Sequence, residues 1–156
     1  MHHEAFDLNE RERVRLVTLV ASLTEADLRV VVHDEWTIAA KLAHIALWDR
    51  IALAVLERWR ERKESRIEDS QWRDDVFNDA VLIESLVLNP LDAARLAVDA
   101  VSALDRRLES LGEFDTTRLI SDAAKPETDT TWLLHRYRHR ALHLDEIDRA
   151  RRSLGR

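Results

Sequence analysis

Trp132-Leu-Leu-His-Arg-Tyr-Arg-His-Arg-Ala-Leu-His-Leu-Asp-Glu-Ile147 sets histidines at 135, 139 and 143, each four residues after the last. On an α-helix a step of four overshoots one turn by about 40°, so the three rings form one stripe. Residues four apart have Cβ atoms about 5–6 Å apart. Two imidazoles at that spacing can share one metal ion, the reason His-x-x-x-His recurs in helical zinc sites. Such a pair needs a third ligand. The candidate is His44, in Ala40-Lys-Leu-Ala-His-Ile-Ala-Leu-Trp-Asp49, on a different apolar stretch. A histidine buried among Leu42, Ile45 and Leu47 must find a polar partner, and a metal shared with the last helix would supply it. Packed helices lie about 8–10 Å apart, a gap two opposed histidines can bridge. Three protein nitrogens leave one position open, as in catalytic sites. Imidazole suits zinc, nickel, iron and copper alike. The competing reading is a partly exposed histidine stripe among Arg136, Arg138 and Arg140.

Outward from that stretch, the chain reads as all-α. It has two glycines and two prolines in 156 residues, too few turn formers for a β-rich fold. A first helix is expected over 8–23, with Leu8, Val14, Val17, Leu19, Val20 and Leu23 as its apolar side and 10–15 as a solvated charged turn. A short helical turn follows within 22–28, then a connector over 30–35. Thr37 is suited to cap a second helix running to about residue 62, with Trp36 as a staple before it. That helix is apolar around most of its circumference to about Leu56, as buried helices are. Residues 61–75 form a charged linker whose large apolar residues are Ile67 and Trp72. About 13 extended residues cover roughly 40 Å, enough to run the length of a bundle, so the flanking helices need not be antiparallel neighbours. A short helical piece over 76–88 breaks at Asn89-Pro90. A helix over 92–111 follows, with Leu96, Val98, Val101, Leu104, Leu108 and Leu111 as core candidates and Gly112 as its stop. Residues 112–130 read as a polar loop with a marginal element at 118–120. The last helix starts near Thr130 or Thr131 and runs to Ser153. Four main helices in one domain over 1–156 predict a four-helix bundle.

Composition excludes several functions. A net charge of −6 argues against a broad basic surface for nucleic acid. No stretch approaches the roughly 20 apolar residues of a membrane span, and the start shows no signal peptide, so a cytoplasmic location is expected. His2 and His3 carry no weight. Without cysteine there is no disulfide and no thiol nucleophile, and any metal must take nitrogen or oxygen ligands.

Around the histidines, Asp49 can orient a ligand or simply face solvent. Glu146, three residues beyond His143, can act as a fourth ligand, act as a base, or pair with Arg149 on the surface. Trp48 is the tryptophan expected beside a pocket. His33 has no assigned role.

These motifs together resemble the DinB/YfiT-like superfamily, which includes mycothiol-dependent maleylpyruvate isomerases and bacillithiol transferases. The segment from Trp36 to Asp49 is similar to that family's Trp-Thr/Ser, apolar, Leu-Ala-His-Leu signature. Val76-Phe-Asn78 resembles the asparagine-bearing start of its third helix. His139-Arg-Ala-Leu-His143-Leu-Asp-Glu-Ile147 resembles its terminal His-x-x-x-His-Leu-x-x-Ile. The resemblance implies an up-down-down-up bundle with a long connection between the second and third helices. It implies a metal triad of His44, His139 and His143, with His135 as an extra. It implies zinc or nickel as the divalent metal, and a metal-dependent S-transferase or isomerase joining a small electrophile to a thiol such as mycothiol or bacillithiol. A homodimer is compatible with it. The alternatives are a hydrolase or resistance protein of this fold, using metal-activated water or no metal, and a non-enzymatic stress or binding protein.

Overall fold

The computed structural model describes residues 4–61, 74–124, 131–153 and 155. His2 and His3, most of the predicted 61–75 linker with Ile67 and Trp72, and the acidic end of the 112–130 segment lie outside the described residues. Eight helices and one small hairpin occur among the described residues. Helix α1 spans Glu4–Ser22, α2 Glu25–Leu28, α3 Ile38–Arg60, α4 Asp74–Val87, α5 Pro90–Glu109, α6 Glu113–Ala123, α7 Thr131–Leu134 and α8 Arg136–Ser153. Strands β1 (Val31–His33) and β2 (Trp36–Thr37) pair antiparallel.

Four long helices make the bundle. Helix α1 packs on α5 and α8, and α3 packs on the same two. Side-chain pairings give their directions. Asn9 bonds the Leu134 carbonyl and the Tyr137 amide, while Arg15 reaches Asp145 and Asp148. Helices α1 and α8 therefore run parallel. His44 meets His139, and Asp49 meets Arg136, so α3 runs against α8. One core cluster joins Ala39–Ala46 of α3 to Ala93–Val101 of α5, and a second joins Ala52–Trp59 to Leu104 and Leu108. Helices α3 and α5 therefore run parallel, giving the up-down-down-up order. Alanines 93, 94, 97 and 100 are all buried on α5, and side chains this small let α3 and α5 approach closely.

Local signals account for the boundaries. Thr37 caps α3, its hydroxyl accepting the Ala40 amide at 3.1 Å. Thr24 and Asp27 form a reciprocal capping box on α2. Asn89 caps α5 ahead of Pro90.

Four expectations are corrected. The 30–35 connector is the β1–β2 hairpin, turned at Asp34 with φ +46°, a conformation that aspartate tolerates. The 112–130 loop contains a full helix, α6. Its apolar residues are sparse, and tertiary contacts hold it: Arg118 lies 3.9 Å from the Trp59 ring and donates to the Trp59 carbonyl, Trp59 donates to Asp122, and Leu119 is fully buried. The charged turn over 10–15 of α1 is only partly solvated, because Glu12 is buried, while Val14 of the expected apolar side is half exposed. The last helix is two helices, α7 and α8, interrupted at His135.

Candidate metal centre

Helix α3 carries two buried charged side chains, Lys41 and Asp49, in an otherwise apolar first half. A buried charge must be paired, and the partners come from α8. Arg136 donates Nε to Asp49 Oδ1 at 2.8 Å, and Arg140 donates Nε to Asp49 Oδ2 at 2.8 Å. Arg140 also grips Asp105 of α5 with both terminal nitrogens, at 2.7 and 2.9 Å, and donates to the Asn9 carbonyl of α1 at 3.2 Å. Its side chain has no exposed surface. Arg140 thus ties α8 to α1, α3 and α5 through the middle of the bundle. Burial raises the Asp105 carboxyl above its ordinary pKa, against the pull of Arg140.

This frame sets the faces of α3 and α8. Arg136 and Arg140 are four residues apart, as are His139 and His143, and each histidine follows an arginine by three, so the arginines and histidines share the inward side. His44 lies five residues before Asp49, within reach of the same helix. His139 Nε2 sits 3.1 Å from His44 Nε2 and 3.2 Å from His143 Nε2. The three ligand nitrogens all lie within 4.8 Å of one another. His44 and His143 are buried and His139 is half-buried. Trp36 and Trp48 meet the His44 ring edge-on at 5.4 and 6.4 Å, and Trp48 also contacts His139 and Phe77.

The remaining ring nitrogens differ in their partners. His143 Nδ1 is 2.8 Å from Glu146 Oε2, which also accepts from Lys41 Nζ at 3.0 Å. Lys41 lies over the Trp36 ring, 4.8 Å from its centroid. His139 Nδ1 is 2.8 Å from an Arg136 terminal nitrogen. His44 Nδ1 is buried with no hydrogen-bond partner.

The rings are held neutral. Burial brings His44 down to about 3, helped by the neighbouring His143, Lys41 and Arg136, which disfavour a second positive charge there. Burial lowers His139 as well, with Arg136 next in effect. Burial lowers His143 against the opposing hydrogen bond to Glu146. Burial alone would raise Glu146, yet its bonds from His143 and Lys41 keep it below its ordinary value. These shifts predict a stability slope in metal-free protein. Unfolding returns each histidine to about 6.5. Just below that value the unfolded chain binds more protons than the folded one, so stability rises with pH there. It is complete above about 6.5 and is lost on acidification towards the folded values. Melting temperature in chelator should fall between about pH 7 and about pH 5, and less steeply in His44→Gln. A flat or rising profile would refute the neutral-histidine assignment.

Three neutral imidazole nitrogens facing one point form a metal-ligand set. Two nitrogens about 2.0–2.1 Å from one tetrahedral ion stand about 3.3 Å apart, close to the 3.1 and 3.2 Å found here. Two of the three pairs match a shared divalent ion, and the third lies within 4.8 Å. A sequence model of the DinB superfamily matches residues 8–147. The chain belongs to that superfamily. No curated protein and no solved structure matches it. In DinB terms, the structure brings together the implied histidine triad and leaves out His135, which sits at the α7–α8 break with its ring 5.6 Å from Tyr137.

The surroundings depart from the sequence expectations. Asp49 is fully buried, so the solvent-facing alternative is overturned. Glu146 bonds His143 and Lys41, and its surface pairing with Arg149 gives way to them. Arg136 and Arg140 are buried, so they are no solvated stripe. Lys41, Arg136, Arg140 and Asp105 were not anticipated at the site. The available signal was charge within apolar periodicity: Lys41 and Asp49 interrupt a helix that is apolar all round, and buried charges require partners. An apolar cleft of about 440 Å³ between α3, α4 and α5, lined by Leu47, Val81 and Leu96 among others, includes none of the histidines. No helix among the described residues is long and apolar enough to cross a membrane.

Proposed function

We propose that His44, His139 and His143 hold a divalent metal, zinc or nickel, and that the protein joins a low-molecular-weight thiol to a small electrophile. The observation carrying this reading is the convergence of three neutral ring nitrogens from α3 and α8. When bound, the ion supplies Lewis-acid chemistry that lowers the pKa of a thiol, making a nucleophile at neutral pH.

The chain's own residues do the rest. Glu146 takes the Nδ1–H of His143, fixing that ring's Nε2 towards the centre, and Lys41 fixes Glu146. Asp49 holds Arg136 and Arg140 on the face of α8 that carries the histidines. Trp36, Trp48 and Phe77 form an aromatic wall that shields the site from water, and Trp48 is the contact assigned to the electrophile. The reaction is balanced as a substitution: the thiol sulfur bonds the electrophilic carbon, the leaving group departs with its electron pair, and the thiol proton is released with it. The thiol must come from outside, since the chain has no cysteine. Mycothiol or bacillithiol fits that role. The reading places the protein in the cytoplasm, where such thiols are kept reduced, and a homodimer is compatible with it.

The test is metal content by elemental mass spectrometry, followed by turnover of an aryl halide with and without thiol. One metal per chain is expected, lost in His44→Ala and His139→Ala, with halide release only when thiol and metal are both present. Failure to take up zinc or nickel on reconstitution would sink the reading. Equal turnover without thiol would replace the transferase with a hydrolase.

A further inference from the structure

The contact between Arg136 and His139 runs against metal loading. A guanidinium has only donors. The 2.8 Å contact to His139 Nδ1 is therefore a bond that the arginine donates and the ring accepts. A neutral imidazole carries one proton, so in this state the His139 proton sits on Nε2, the nitrogen that faces His44 and His143. The arrangement is self-consistent. His139 Nε2–H lies 3.1 and 3.2 Å from the Nε2 atoms of His44 and His143. His143 is protonated on Nδ1, where it donates to Glu146, which leaves its Nε2 free to accept. With this placement of protons the three Nε2 atoms share one hydrogen.

Ligation through all three Nε2 atoms needs the His139 proton moved to Nδ1. That nitrogen would then face the Arg136 donor, two donors against each other. Either the arginine leaves or His139 loses both ring protons. Giving up one hydrogen bond costs less than stripping an imidazole of its second proton. Groups that hold a ligating histidine on its far nitrogen are ordinarily acceptors, as Glu146 is for His143. Arg136 is the opposite, and it is held there: Asp49 accepts its Nε at 2.8 Å, and the side chain is buried.

We propose that Arg136, anchored by Asp49, is an internal competitor for His139, which must swing off Nδ1 before the site can take a metal. It is a positioning residue that sets metal affinity, and the inference rests on the metal reading above. Groups bonded to a ligating histidine shift metal affinity about 10–100-fold. Arg136→Gln should therefore bind zinc at least about tenfold more tightly than wild type, because a glutamine oxygen can accept the Nδ1–H that an arginine cannot.

Zinc affinity is measured by competition with a chromophoric chelator for wild type and Arg136→Gln. In parallel, nitrogen-15 histidine spectra of the wild type are recorded before and after zinc. The expected result is tighter binding in the variant, and a His139 proton that moves from Nε2 to Nδ1 when zinc is added. Equal or weaker binding in the variant, or a zinc-free wild type already protonated on Nδ1, would overturn the inference and leave the metal reading standing. Zinc binding by neither protein would overturn both. The wild-type spectra keep the test decisive if the variant fails to fold.

Discussion

Arg140→Met is expected to destabilise the protein by about 3–5 kcal/mol, the cost of breaking a buried ion pair by removing one partner. The side chain is fully buried and bonds Asp49, Asp105 and the Asn9 carbonyl. After the change Asp49 keeps Arg136, while Asp105 keeps only Arg13, 3.8 Å away on the rim. Asp105 is already pushed up by burial, so losing Arg140 leaves a carboxyl that must protonate or be stranded. At about 2–4 °C per kcal/mol for a domain near this size, the melting temperature should drop roughly 10 °C. Arg29→Met is the control. Arg29 pairs with Glu25 at 2.7 Å, but both side chains are more than half exposed, and such pairs contribute about 1 kcal/mol or less. Urea titration of both variants decides the matter. Equal losses would mean that the central cluster contributes no more than a surface pair.

Metal loading is expected to produce the other large change, in the opposite direction. A ligand bound only by the folded state at about 1,000 times its dissociation constant adds about 4 kcal/mol. His44 and His139 are separated by 95 residues, so the unfolded chain does not present the set. Zinc or nickel should raise the melting temperature by roughly 10 °C, reversibly in chelator. His139→Ala should abolish the rise, because His139 Nε2 lies 3.1 and 3.2 Å from the Nε2 atoms of both other rings. A rise that persists in His139→Ala would place the ion elsewhere. No rise in the wild type, alongside a stoichiometric ion, would mean that the unfolded chain binds metal equally well.

The bundle and the histidine stripe of α8 were legible because both depend on periodicity, and His44 was legible as a lone polar ring within an apolar helix. Histidines at steps of four, and apolar residues at helical spacing on α3 and α5, need only one helix each to be read. The implied His44, His139 and His143 converge as the resemblance required. What escaped was set between elements. Helix α6 has few apolar residues of its own and is held by Trp59, 59 residues from its partner Arg118. The burial of Arg136 and Arg140 depends on Asp49 and Asp105 on two other helices, and nothing local to Arg-Tyr-Arg-His-Arg distinguishes a buried arginine from a solvated one. The break at His135 belongs to the same class, since Asn9 takes up the Leu134 carbonyl and the Tyr137 amide. Asp34 turned a connector into a hairpin by one backbone angle.

The ring of neighbours α1, α5, α3, α8 has a consequence for how the molecule is made. None of its four contacts joins helices that follow directly in sequence, and α1 finds α8 only after more than a hundred intervening residues. An all-helical chain usually folds fast because its contacts are local; here they are distant. During synthesis α1, α3 and α5 emerge with Asp49 and Asp105 lacking the arginines that neutralise them. Closure waits on α8, so the nascent chain must keep its apolar faces from aggregating until its last long helix has left the ribosome.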